Sequence, residues 1–179
     1  IVGCSISDYT YNTYANNGYH YSYVLKCSNS GNINSTGNYV GGVVGFSDGY
    51  SAEQYTNYCY NTGEVTTKGS YAGGIIGLAA GDQLFKNCHT TGNVAVVAGR
   101  EGRAHDQYRV GGIAGGWADG AKNVCTLVNC SYTGTISGTN ADGSVAEKLD
   151  YMGYVGRGYT LNGCQGSKVV IDGTEYIQK

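Results

Sequence analysis

Cysteine is the residue type here with the most chemistry to offer, and its spacing is regular. Seven cysteines are present, and five open the same short phrase, Cys-x-x-[Thr/Ser]-Gly-x-[Val/Ile]. It stands at residues 27–33 (CSNSGNI), 59–65 (CYNTGEV), 88–94 (CHTTGNV) and 130–136 (CSYTGTI), with a degraded copy from Cys164 (CQGSKVV). The starts are 32, 29, 42 and 34 residues apart. Zinc sites draw on close pairs such as Cys-x-x-Cys; the chain has none, so no metal is expected. One cysteine per repeat instead predicts an inward ladder of Cys27, Cys59, Cys88, Cys130 and Cys164 acting as small apolar side chains. A bridge between adjacent rungs stays open, because stacked Cα atoms about 4.8 Å apart lie within disulfide reach. Cys4 and Cys125 fall off the ladder. Cys4 can bridge to a neighbouring turn, Cys125 can approach Cys130 or Cys164, and an odd count leaves at least one thiol over.

The other reactive types give weaker patterns. Cys88 and His89 are adjacent, but neighbours on a strand point to opposite faces, so they read as a packed thiol and an outward imidazole. His20 and His105 sit in loop-like segments and read as solvated. Asp48, Asp82 and Asp119 recur after a glycine-rich phrase and could line one face as a calcium or glycosidase carboxylate row. Each abuts glycine, which favours plain turn chemistry. Thr62, Thr91 and Thr133, with Ser30 before them, are equivalent hydroxyls, one per repeat, which is too sparse for an ice-binding face. Asn34-Ser35-Thr36 and Asn129-Cys130-Ser131 match a glycosylation pattern and decide nothing alone. No catalytic residue and no cofactor is assigned.

Binding is the stronger candidate. Tyr9, Tyr11, Tyr14, Tyr19, Tyr21 and Tyr23 crowd into fifteen residues. Tyrosine gives amphipathic contact area at low entropy cost and suits interfaces or sugar stacking; the plain alternative is a cap over the first repeat. Two longer inserts, residues 98–109 and 138–151, fall at the same place in consecutive repeats. They carry Arg100, Glu101, Arg103, Asp106 and Arg109, then Asp142, Glu147, Lys148 and Asp150. They read as a salt-bridged loop pair or a partner site, with Arg100, Arg103, Arg109 and the single tryptophan, Trp117, as binding candidates. Tyr39 and Tyr71 precede paired glycines at one offset and predict a short outward ladder.

These residues need elements to hold them. A second phrase, Gly-Gly-apolar-apolar-Gly, alternates with the first at Gly41 (GGVVG), Gly73 (GGIIG) and Gly111 (GGIAG), with a weak copy, MGYVG, at Met152 and a half copy at Ile1-Val2-Gly3. The segments are short and rich in Val, Ile, Tyr and Thr, which is strand and turn chemistry. No stretch carries a convincing amphipathic helix; residues 78–85 come nearest. Each repeat therefore reads as one coil of an all-β, single-stranded parallel β-solenoid of four to five coils of roughly 32 residues. One strand is expected centred on the paired-glycine phrase, one ending at the cysteine and one running through Gly-x-Val. Glycines would mark corners needing positive φ or close backbone approach. The whole chain, 1–179, is expected to be a single domain: a Tyr-rich cap at 1–26, repeats at 27–58, 59–87, 88–129 and 130–163, and a partial coil at 164–179.

At the level of these repeats, GGIIGLAAGDQLFKNCHTTGNV and GGVVGFSDG…NYCYNTGEV resemble GLUG-motif repeats. Those occur in bacterial secreted and surface proteins, including adhesin-like proteins and accessory regions of IgA-specific metallopeptidases. The resemblance covers roughly residues 24–166, with the first and fifth copies departing from the pattern as caps or truncated coils would. It implies an extracellular β-rich scaffold and carries over no catalytic residue, since the His-Glu-x-x-His signature is absent.

Composition removes several classes. Glycine supplies 31 of 179 residues, tyrosine 18, proline none, and the net charge is −2. Electrostatic nucleic-acid binding wants a basic domain, and no apolar run approaches the roughly 20 residues of a membrane span. Collagen needs proline; its absence here fits continuous strand pairing. A chain opening at Ile1 with no signal-peptide pattern reads as processed or as a piece of something longer. The expectation is a non-enzymatic extracellular or cell-surface protein, structural and adhesive, stacking end-to-end into a fibre or against neighbouring domains. The alternatives are a module binding a glycan or host protein, and third a carbohydrate-active enzyme.

Overall fold

A computed structural model describes residues 2–6, 22–99, 109–118, 125–140, 142–144, 149–155, 160–162, 165–166, 169–171 and 174–176. Among them every regular element is a strand, and none is a helix able to cross a membrane.

Pairing follows the repeat. Ser28-Asn29 lies parallel to Tyr60-Asn61, which lies parallel to His89-Thr90, then Ser131-Tyr132, then Gln165-Gly166. A second parallel sheet runs Ile33–Ser35, Val65–Thr67, Val94–Gly99, Ile136–Asn140. A third holds the long strands: Val44–Asn57 takes both Val2–Ile6 and Ser22–Leu25 on one side and Ile76–Lys86 on the other. Ile76–Lys86 in turn pairs with Arg109–Ala118 and Cys125–Val128. Each strand thus meets its own counterpart in the neighbouring repeat. The backbone makes this explicit: the amides of Tyr60, His89 and Ser131 donate to the carbonyls of Cys27, Cys59 and Cys88 at 3.0, 2.9 and 3.0 Å.

Inward positions alternate with outward ones, as a strand's period of two requires. Cys59, Val65, Phe85, Cys88, Val94, Leu127 and Cys130 form one core with Val43, Ile75, Ile76 and Ile113. Burying a Val, Leu, Ile or Phe side chain is worth about 1.5–3 kcal/mol, so each repeat's stability comes from stacking on the next. At the N-terminal end the same rows are less covered. Cys27 and Ile33 are only half-buried, whereas Cys59 and Val65 are fully enclosed.

Four expectations need correction. The paired-glycine phrase marks a corner, not a strand centre, in the first two repeats. Tyr39–Gly41 ends at the first glycine, Gly42 and Val43 bend, and a new strand starts at Val44. Close packing explains the glycines there, since none has a positive φ. A Cβ on Gly112 would run into the ring of Tyr132, and one on Gly74 into Thr90. The carboxylates do not stack into a row: Asp48 is opposite Ala80, and Gly49 opposite Gly81. The pairing resumes at Gln54 and Gln83, so residues 50–53 of one repeat match Asp82 alone in the next. That shift absorbs the shorter spacing, and Gly81 takes φ +72° at it. Asp48 and Asp82 also sit within strands and not in turns. Third, Tyr71 is buried. Its ring does meet Tyr39 at 5.6 Å, but Gly116 opens space for it to turn inward. Finally, the C-terminal segment leaves the parallel pattern. After Gln165-Gly166, Val169–Ile171 and Thr174–Tyr176 pair antiparallel.

Candidate functional site

The four described ladder cysteines occupy equivalent inward positions, and all are free thiols, as is Cys125. Cys88 Sγ lies 3.1 Å from the Thr56 carbonyl, and Cys59 Sγ 3.6 Å from that of Val24, each acceptor belonging to the preceding repeat. Hydrogen bonding to Cys130 and Cys59, with burial, pushes the Cys88 thiol far above the ordinary thiol range. The hydrogen bond from Cys88 draws Cys59 the other way, to about 7, against the upward push of burial. Burial and the neighbouring Cys130 push Cys125 up. A reactive cysteine is partly exposed and electropositive in its surroundings; Cys59, Cys88, Cys125 and Cys130 are sealed in the core. The ladder packs the fold. Cys164 and Cys4's side chain lie outside what is described.

Just before each of the four described ladder cysteines the chain turns through a left-handed residue: Lys26 (φ 54°), Tyr58 (56°), Asn87 (52°) and Asn129 (50°). These corners swing the strand that ends at 25, 57, 86 or 128 into the short strand beyond the cysteine. The outward side chains therefore form rows around one edge of the stack. Tyr23 and Tyr55 stack with centroids 5.1 Å apart. Tyr60 and His89 stack at 5.4 Å and 26°. Asn129 Nδ2 donates to Asn87 Oδ1 at 2.6 Å. Tyr23 is 57% exposed, and Tyr58, Tyr60 and Leu25 are also exposed.

His89 Nδ1 also lies 2.7 Å from Ser131 Oγ. A serine nucleophile needs a base behind it and a third group to orient that base. Tyr60's ring lies against this imidazole, so the pair reads as a cross-strand polar contact. Among the described residues no three His, Cys, Asp or Glu side chains gather to hold a metal.

Inside the same corner runs a buried amide ladder. Asn29 Nδ2 donates to Asn61 Oδ1 at 2.9 Å, and Asn61 Nδ2 to the Gly63 carbonyl at 2.9 Å. The next rung is Thr90, whose buried hydroxyl has no partner, and the next is Tyr132. In a parallel row, Gln54 and Gln83 are buried opposite each other, with Gln83 Nε2 donating to the Ala80 carbonyl at 2.6 Å and Gln54 Nε2 unpartnered.

Of the binding candidates, Tyr23 is placed at this edge. Arg109 and Trp117 lie on Arg109–Ala118, opposite Tyr71 and Ala79. Tyr9, Tyr11, Tyr14, Tyr19, Tyr21, Arg100 and Arg103 lie outside the described residues, as do His20, His105 and Asp119. Thr62, Thr91, Thr133 and Ser30 are all exposed. In the second insert the backbone of Ser144 donates to Asp142 Oδ1 at 2.9 Å, and bonds from Ser144 hold that carboxyl below its usual range. The sequence reading missed Tyr55, Tyr58 and Tyr60 as one surface. Their signal was present: each precedes or follows Cys59 at an outward position.

No family model matches the chain, and no curated protein matches it. Among solved structures it is similar to a Bacteroides ovatus protein described as a putative immunoglobulin A1 protease, at 19% identity and a TM-score of 0.62. The similarity covers 88% of this chain and 44% of that one, so the chain spans less than half the length of the protein it matches. At this identity the likeness speaks to the fold.

Proposed function

We propose that the chain is a single β-solenoid of GLUG-like coils serving as an extracellular, non-enzymatic scaffold with an adhesive surface, part of a larger secreted or cell-surface protein. The carrying observation is the register: strands pair with their own counterparts one repeat away across three parallel sheets. That geometry extends by adding coils and presents side chains in rows, which suits display more than a concave catalytic pocket. The extracellular setting is supported by the name of the structural neighbour, because immunoglobulin A1 is met outside cells.

Self-association is the favoured partner relation. The first described coil leaves Cys27 and Ile33 partly exposed, and an end of this kind invites a further strand layer. Head-to-tail contact that does not close gives a fibre. The assay is negative-stain electron microscopy with sedimentation over a concentration series, alongside antibody labelling of intact source cells. Ordered polymers and surface labelling are expected. A strictly monomeric native protein removes the fibre, and labelling only after permeabilisation removes the extracellular scaffold.

A further inference from the structure

We propose that the open end of the stack at Ser28–Gly41 is completed by a second copy of this chain, whose residues 164–176 lie beneath it as a donated half-coil. This rests on the reading of the chain as a self-associating scaffold and names the segment and the surface that join.

The acceptor is a layer half built. Val2–Ile6 and Ser22–Leu25 lie against one side of Val44–Asn57. Among the described residues, however, no strand lies on that side of Ser28-Asn29, Ile33–Ser35 or Tyr39–Gly41. In later repeats the amides of Tyr60, Thr62, His89 and Thr91 donate to the repeat before them. The equivalent amides of Ser28 and Ser30 have no such acceptor among the described residues. Exposure follows the same line: Gly31, Gly37 and Asn38 are exposed, whereas their counterparts Gly63, Gly69 and Ser70 are buried.

The glycines identify the missing neighbour. A Cβ on Gly63, Gly92 or Gly134 would run into the carbonyl of the matching glycine one repeat before, and one on Gly69 into that of Gly37. Glycine at these places answers a coil pressed against it. Among the described residues, a Cβ on Gly31 meets nothing nearer than Asn29 Oδ1 at 3.7 Å, and one on Gly37 nothing nearer than Ser35 Oγ at 3.2 Å. Neither glycine has a positive φ. The open end thus keeps the space that a coil of this same repeat type takes up, which favours a copy of this chain over an unrelated partner.

The donor comes from the far end. The sheet of short strands has five rungs and ends on Gln165-Gly166, while the sheet through Ile33–Ser35 has four and ends on Ile136–Asn140. Seating Ser28-Asn29 of a second copy on Gln165-Gly166 leaves one strand position unfilled between Ile136–Asn140 and the incoming Ile33–Ser35. The residues that follow Gln165-Gly166 have the spacing to fill it. Val170 stands six residues after Cys164, as Ile33, Val65, Val94 and Ile136 stand after their cysteines. Tyr176 stands twelve after, as Tyr39 and Tyr71 do. Within one copy, Val169–Ile171 pairs antiparallel with Thr174–Tyr176. On assembly that pairing opens, and Val169–Ile171 gains a parallel partner on each side. Strand addition of this kind draws affinity from main-chain hydrogen bonds and specificity from side-chain pockets.

The test is sedimentation velocity on the full chain and two full-length variants. Gly31→Ala spoils the acceptor, because its methyl has room in one copy and none against a docked coil. Val170→Asp spoils the donor, because it puts a carboxylate in the row of Ile33, Val65, Val94 and Ile136. Each alone should raise the concentration for half-assembly roughly tenfold or more, the scale of an overpacked contact. Mixed, the two should form a one-to-one dimer and stop there, since Gly31→Ala keeps a sound donor and Val170→Asp a sound acceptor. Circular dichroism and melting of dilute Gly31→Ala should match the dilute parent. If Val170→Asp does not fold, Gly31→Ala decides alone. A parent that stays monomeric overturns the proposal, as does Gly31→Ala assembling like the parent, or two folded variants that do not pair. A lowered melting midpoint for dilute Gly31→Ala also overturns it, by placing part of the same chain against Gly31. Polymers untouched by both substitutions defeat this joint and leave the fibre standing, whereas a monomeric parent removes both. Intact-cell labelling reports on the scaffold independently.

Discussion

The left-handed corner before each ladder cysteine makes a prediction whose sign is unusual. At an ordinary extended position glycine is less stable than alanine by about 0.5–1 kcal/mol, because the unfolded glycine has more freedom to lose. At Asn87, φ is 52°, where an L residue with a Cβ meets the following carbonyl at a cost of about 1–2 kcal/mol. The two terms oppose, and the steric one is larger, so Asn87→Gly should be more stable than Asn87→Ala by roughly 0.5–1 kcal/mol. Both lose the 2.6 Å bond from Asn129 Nδ2, which at an exposed site is worth about 0.5–1 kcal/mol. Asn87→Ala should therefore fall about 1.5–2 kcal/mol below the parent and Asn87→Gly about 1 kcal/mol. For a chain of this length that is a melting difference of about 1–4 °C between the two variants. Thr91, exposed and without a positive φ, serves as the control position, where alanine should beat glycine. Urea denaturation of the four variants measures it. If alanine equals or exceeds glycine at position 87, the corner conformation is wrong.

Other outcomes follow from the packing. Thr90→Val removes a buried hydroxyl with no partner and should raise stability by about 1 kcal/mol in the same urea assay; a loss would mean that the hydroxyl is satisfied. Gly112→Ala pushes a methyl into the Tyr132 ring and should cost about 1–3 kcal/mol, whereas Gly143→Ala, at φ +86° with open space around it, should cost only about 1 kcal/mol from its backbone. The Cys125 thiol is raised from 9.0 by burial, then by Cys130. A raised group contributes its full stability below its unfolded value and loses it as pH climbs. Stability should thus fall above pH 9, by up to about 1.4 kcal/mol per pH unit for this thiol, and Cys125→Ala should make that decline shallower; identical slopes would place Cys125 in solvent.

Much of the fold was legible because the repeat is carried by residues with one physical job. Cysteine at a fixed place each period announces an inward row, and paired glycines announce a spot where a neighbour's side chain presses on the backbone. The left-handed corner was hidden because lysine, tyrosine and two asparagines occupy it, and only the asparagines favour that conformation. The Asp48 and Asp82 phrases look equivalent, yet aspartate precedes the glycine in one and follows it in the other, and with Gly49 opposite Gly81 this puts them on different rows. Tyr71 looked outward by its kinship with Tyr39, but its pocket is made by Gly116, 45 residues further on. The aromatic edge was half visible: tyrosines beside Cys59 alternate correctly, while the stacking of Tyr60 on His89 depends on cross-repeat register.

That register is the centre of the account, and removing one whole repeat tests it directly. Excising residues 60–88 joins Cys59 to His89, the residue in register with Tyr60. Pairing between repeats predicts that the shortened chain folds and unfolds cooperatively, with a denaturant m-value reduced in proportion to the lost length. A shortened chain that cannot fold, or that unfolds without cooperativity, would contradict it.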